Sequence, residues 1–128
     1  MPTLAVDVGA PYAPAGINLA TAQTGNGAST NVVDRGGRTG PGLLKITTTV
    51  GATPTCTYLV EGSADGANWF PAAIADSATP ETLSVATFVI TTATTVYKIL
   101  RANHPWRFVR VTMSANTNVT TTIDAWVF

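Results

Sequence analysis

Few residues in this chain could do acid–base or nucleophilic chemistry. It has one histidine, His104, one cysteine, Cys56, two glutamates, Glu61 and Glu81, and two lysines, Lys45 and Lys98. A Ser-His-Asp triad would have to be built on His104, which lies between Asn103 and Pro105. No serine occupies the G-x-S-x-G turn that exposes a hydrolase nucleophile. Glu61 and Asp65 sit at the ends of one hairpin arm, and two carboxylates facing a cleft are what a glycosidase needs. Here the turn chemistry around them accounts for the pair structurally. Cys56 alternates with apolar neighbours, as a buried and unreactive thiol does. One cysteine makes no internal disulfide, and a His/Cys metal cluster cannot be assembled. No catalytic, metal or cofactor site is therefore expected. Asn118-Val119-Thr120 matches a glycosylation sequon to which no role is assigned.

Nucleotide-binding loops are absent. No Lys follows a Gly, so the phosphate-cradling G-x-x-x-x-G-K-[ST] loop is missing. Gly25-Asn26-Gly27-Ala28-Ser29-Thr30 lacks the third glycine of a dinucleotide fingerprint. Arg35 and Arg38 flank glycines and are read as a solvated loop. Over 128 residues the 7 basic and 7 acidic side chains cancel, and charged residues make up 11% of the chain. That balance lacks the basic footprint of a nucleic-acid binder and the polybasic segment that anionic membranes attract. No apolar run approaches the roughly 20 residues of a helical membrane span. Met1-Pro2-Thr3-Leu4 carries no Lys or Arg ahead of an apolar core, so no secretion signal is expected there. Near-zero net charge favours association, which suits a component of a larger assembly.

The elements that must position these residues read as β throughout. Threonine is the commonest residue, and Val, Ile and aromatics are frequent, as suits a pleated, half-buried surface. Leu44, Ile46, Thr48 and Val50 share one face of a strand. Gly51–Pro54 is expected to turn the chain, and Cys56, Tyr58 and Val60 share a face of the next strand. Asp65-Gly66 closes a hairpin, because this pair tolerates positive φ. A long run over 82–92, a strand over 96–101, a strand over 106–113, a turn at 115–118 and a last strand over 119–128 follow. Short strands at this spacing predict a single all-β sandwich, jelly-roll-like, over residues 43–128. Residues 1–42, rich in Gly, Ala and Pro, are expected to form an extended N-terminal arm and peripheral strands. Leu4, Val6, Val8 and Tyr12 are its candidate contact residues. On the last strand, Val119, Thr121, Ile123, Ala125 and Val127 share one face. Asp124, Trp126 and Phe128 lie on the other and are candidates for an oligomer interface.

The informative string is Gly62-Ser63-Ala64-Asp65-Gly66-Ala67-Asn68-Trp69. Ser63 and Asp65 can accept backbone N–H bonds and fix the turn around Gly66, and Trp69 is expected to anchor the hairpin by packing inside it. This S-x-D-G-x-x-W string, with Arg107-Phe108-Val109-Arg110-Val111, resembles two strands of discoidin-type jelly rolls, which bind glycans or lipids. With Pro105-Trp106-Arg107-Phe108-Val109-Arg110-Val111 and the turn at 114–118, it also resembles small β-rich structural proteins of tailed bacteriophages, over roughly residues 43–128. That resemblance implies a non-enzymatic capsid decoration or cement protein. Its partners would be the major capsid protein and itself, as a homotrimer, and its place the outer capsid surface of the virion. The alternative is a glycan-binding, discoidin-like module on a phage tail or fibre.

Overall fold

The computed structural model describes residues 16–36, 40–84, 87–101 and 105–127. Within them every regular element is a strand: β1 (Ile17–Gln23), β2 (Gly27–Ala28), β3 (Val33–Asp34), β4 (Gly42–Ser63), β5 (Phe70–Pro71), β6 (Ala75–Asp76), β7 (Phe88–Ile90), β8 (Thr94–Leu100) and β9 (Phe108–Val127). They form one open antiparallel sheet with the central order β1-β9-β4-β8-β6. The all-β class expected from the composition is the class observed.

The backbone of the sheet is the β4–β9 pair, which runs from Gly42↔Val127 to Ser63↔Phe108 with two register shifts at its middle. The first half of β4 pairs with β8, and its second half pairs with β7 and β5. On the other side, β1 pairs with the second half of β9, while β2 and β3 pair with its first half. Two half-sheets therefore share two long strands.

The halves face one another. The Tyr58 hydroxyl and Thr121 Oγ1 share a buried hydrogen bond of 2.7 Å. Yet Tyr58 pairs with Met113, eight residues from Thr121 along β9. A straight strand would separate Met113 from Thr121 by about 26 Å at ~3.3 Å per residue. The long pair must double over to close that distance, an arrangement consistent with a β-sandwich. The bend explains a difference from the sequence reading. Gly51–Pro54 and Ala115–Asn118 do not end strands; they bend two strands that continue. Register breaks between Val50 and Thr55 and between Thr55 and Thr57. Thr53, Ala115 and Asn118 adopt positive φ, at 45°, 50° and 54°, and such residues bulge a ladder and raise its local twist. Asn side chains supply the partners that the interrupted ladder loses. Asn116 Oδ1 accepts the Val119 N–H at 3.1 Å, and Asn118 Nδ2 donates to the Ala52 carbonyl at 2.6 Å.

The core lies between the halves. Leu44 and Ile46 from one half of β4 and Tyr58 and Val60 from the other are buried, with Val109, Val111, Met113, Val119, Ile123 and Ala125 of β9. Each fully buried aliphatic side chain is worth roughly 1.5–3 kcal/mol against exposure. Alternate residues of the same strands point outward. Peripheral β1 and β3 also contribute, since Leu19, Ala20 and Val33 are buried. Among the described residues of the run expected over 82–92, Phe88–Ile90 is strand and Ser84 makes one bridge to Ile74.

Arg35 corrects another expectation. It is 1% exposed, not solvated. Nη1 donates to the Trp106 carbonyl at 3.0 Å and Nη2 to the Gly40 carbonyl at 2.7 Å. A planar fork of donors suits two backbone acceptors at once. The guanidinium thus ties the loop after β3 to the start of β9. Burial lowers its pKa from the usual arginine value. Arg38 lies outside the described residues.

Candidate functional site: the hairpin tip and the outer faces

The Ser63–Asn68 connection is held by its own side chains. Ser63 Oγ accepts the N–H groups of Gly66, at 2.8 Å, and Asp65, at 3.3 Å, and donates to Asp65 Oδ1 at 3.0 Å. Asp65 Oδ1 also accepts the N–H groups of Ala67 and Asn68, both at 2.9 Å, while Oδ2 accepts Asn68 Nδ2 at 2.8 Å. Gly66 sits at φ 79°, where a Cβ would be strained. The backbone N–H groups of Asn68 and Ala67, with the side chains of Asn68 and Ser63, hold the exposed Asp65 carboxyl well below the usual carboxylate range. Both oxygens are thus engaged in fixing the turn.

Trp69 follows this turn and lies against the outer side of the sheet, where the Arg110 guanidinium covers its ring at 4.1 Å from the centroid. Trp69 is half-buried, not packed inside the hairpin as expected. Arg110 Nε also donates to Glu61 Oε1 at 3.1 Å, and the Thr112 hydroxyl bonds the same oxygen. Glu61 is therefore held by its cross-strand neighbour Arg110. It is not brought together with Asp65 as a pair of working acids.

The interior side of the same tip is aromatic. Trp106 covers Gly62 so closely that a Cβ there would fall 2.1 Å from its Cγ. Phe70 stacks on Trp106 with centroids 5.8 Å apart and is 52% exposed. Arg107 binds Asp34 through Nε at 2.9 Å and lies over the Phe108 ring at 4.9 Å.

At the opposite end, β9 alternates as expected. Val119, Thr121, Ile123 and Ala125 face the core, and Thr120, Thr122, Asp124 and Trp126 are half-buried on the outer face. Asp124 accepts a hydrogen bond from Asn18 Nδ2 at 3.1 Å. Gly16 lies against the Trp126 indole, where a Cβ would fall 3.0 Å from the ring. Asp124 and Trp126 thus share the outer face with Lys45 and Leu43, their cross-strand partners. Phe128, the arm residues Leu4, Val6, Val8 and Tyr12, and His104 lie outside the described residues.

One cleft of about 220 Å³ opens between β8 and the 74–84 loop. Lys98 crosses it, ion-paired to Asp76 and seated 4.4 Å over the Phe88 ring. Phe88 in turn stacks on Tyr58, centroids 5.2 Å apart. Burial pushes the Tyr58 phenol well above its ordinary pKa, and burial raises the Cys56 thiol likewise. Neither group is poised to ionise near neutrality. Among the described residues, no three His, Cys, Asp or Glu side chains gather as metal ligands, and no helix is long and apolar enough to cross a membrane.

Sequence reasoning missed three of these features: Arg110 over Trp69, Trp106 over Gly62, and buried Arg35. The first had a signal, because Glu61 and Arg110 sit on outward positions of strands that a hairpin register could have aligned. The second depends on the β4–β9 register at the tip and the third on carbonyls that two separate segments supply, and neither is marked by a local motif. No protein-family model, no curated protein and no solved structure matches the chain.

Proposed function

We propose that this chain is a non-enzymatic virion structural protein, a capsid decoration or cement protein that binds the outer shell and staples neighbouring subunits. The observation that carries the reading is where the polar groups of the hairpin tip are spent. Asp65 holds its own turn with both oxygens, and Arg110 covers a face of Trp69. A sugar site would need a carboxylate and an aromatic face open to ligand. What the chain offers instead is broad, weakly charged sheet surface built from threonines with a few large apolar groups. Such surface suits packing against protein. Repeated around a lattice, modest contacts gain strength through multivalency.

A cement protein binds the assembled lattice and not its dispersed subunits, so mass action favours the intact shell. The test compares capsids of the parent virus, loaded with this protein and stripped of it, by heat or chelator challenge. Loaded shells should disassemble at higher temperature. Equal resistance, together with glycan-array binding that Trp69→Ala abolishes in a folded protein, would overturn the proposal in favour of a glycan-binding module.

A further inference from the structure

The half-sheet β1-β9-β4-β8 presents an outer face whose residues fall in cross-strand rows. Leu43 lies beside Trp126, Lys45 beside Asp124, and Thr47 beside Thr122. Among the described residues Lys45 forms no ion pair, although Asp124 is its direct neighbour on the ladder. Asp124 is engaged by the neutral Asn18 amide. The face therefore carries one cation and one anion side by side, each without an opposite charge bound to it.

We propose that a second copy of this chain docks on this face, related by a two-fold axis that runs along the seam between β9 and β4. The seam is the midline of the four strands β1-β9-β4-β8. Rotation about it lays each β4 on the other copy's β9. Lys45 then faces the second copy's Asp124, and Asp124 faces its Lys45. By the same rotation Leu43 meets Trp126 and Thr47 meets Thr122. Two sheets packed face to face stand about 10 Å apart, a gap that a lysine and an aspartate span together, and an axis along the seam keeps the central strands of the two copies aligned. An isologous contact must be self-complementary in this way. Charge on charge, apolar on apolar and hydroxyl on hydroxyl follow from one axis.

The face is four strands wide and about seven residues long, which at strand spacings gives roughly 400–600 Å² per copy. A stable dimer usually buries about 800 Å² per partner. The pairing is thus weak in dilute solution, and the two charge pairs set its selectivity. The inference rests on the reading that the chain self-associates through its last strand, and it puts a dimer in place of the homotrimer that the resemblance implied. It is measured without any shell, so its failure is separable from failure of shell binding.

The test is charge reversal with the full chain, read by sedimentation equilibrium up to about 1 mM, the range a face this small requires. Wild type should form a reversible dimer that weakens with salt. Lys45→Asp sets two aspartates against each other twice across the axis, and Asp124→Lys does the same with lysines. Each variant, its fold checked by circular dichroism, should lose dimerisation by about tenfold or more. An equimolar mixture of the two variants should associate at least as tightly as wild type, because each face then meets its opposite. No effect confined to one chain produces that rescue. A trimeric wild type, a monomer at every concentration, singly reversed variants that dimerise like wild type, or a mixture that stays monomeric would each overturn the proposal. A monomer that needs Lys45 and Asp124 to bind its shell would assign the face to the shell instead.

Discussion

Replacing Gly62 with Ala tests the packing at the hairpin tip by the sign of its effect. Gly62 lies inside β4, and alanine in a strand interior is normally favoured over glycine by about 0.5–1 kcal/mol, because glycine loses more backbone entropy on folding. Conformation alone therefore predicts a more stable protein. The contact predicts the reverse. A Cβ at Gly62 would sit 2.1 Å from Trp106 Cγ, 2.4 Å from Cδ1 and 2.5 Å from Cδ2. An ordinary carbon–carbon contact needs about 3.5 Å or more, so the indole must retreat by over an ångström. Its neighbours resist the move. Phe70 stacks on the ring, and Arg35 donates to the Trp106 carbonyl. Overpacking costs roughly 1–3 kcal/mol, and a lost aromatic pair about 0.5–1.5 kcal/mol more. The expected destabilisation is about 2–4 kcal/mol, read from the urea midpoint at unchanged m-value. In a Gly62→Ala, Trp106→Ala cycle the two changes should fall short of additivity by over ~1 kcal/mol, because the second removes what the first collides with. A Gly62→Ala protein as stable as wild type, or more stable, would refute the placement of Trp106.

Three further outcomes follow from the core, the bend and the turn. Tyr58→Phe should cost about 1–2 kcal/mol in chemical denaturation, because it leaves the buried Thr121 hydroxyl without the partner that joins the two half-sheets. Thr53→Gly should stabilise the fold or leave it unchanged, since a β-branched residue at φ 45° carries strain of order 1 kcal/mol that glycine relieves; a clear loss of stability in thermal melts would show that the Thr53 side chain is needed at the bend. For Asp65 the folded-state pKa lies below the unfolded one, so its contribution is complete above the ordinary aspartate pKa and is lost as pH falls through the depressed folded value. Acid titration of stability should therefore fall less steeply below about pH 4 in Asp65→Asn than in wild type.

Local chemistry in the sequence announced the parts of the fold that local chemistry makes. The Ser63–Asp65–Gly66 turn was legible because serine and aspartate at that spacing reach the N–H groups that follow, and Gly66 accepts positive φ. The two faces of the last strand were legible because burial follows a period of two. From sequence the bends at Gly51–Pro54 and Ala115–Asn118 read as strand ends. Gly, Pro, Ala and Asn there mark a departure from extended geometry, but only tertiary pairing decides whether the ladder resumes. Where it resumes, Asn116 bonds Val119 over the bulge within β9 and Asn118 reaches the Ala52 carbonyl of β4. Arg35 reads as solvated because an isolated arginine pair in a charge-balanced chain carries no binding signal. Its burial depends on two carbonyls, Gly40 and Trp106, that the fold delivers from different segments.

The doubled pair also explains how a chain with so little charge can expose two outer faces of different character. Bending β4 and β9 together assigns every second residue of each strand to one common core, so the remaining residues form two outward faces joined at the bend. On the hairpin half these are Glu61, Arg110 and Thr112, locked to one another and to Trp69. On the other half they are Leu43, Lys45 and Thr47 beside Trp126, Asp124 and Thr122, where Lys45 and Asp124 stand side by side without a salt bridge. The first face has satisfied its ions internally and gains little from a charged partner. The second gains from any surface that sets an anion against Lys45 and a cation against Asp124. The proposed lattice role would draw on that asymmetry, one face recognising while the other stays inert. The half-sheet that ends in β9 is the one to which the proposal assigns recognition.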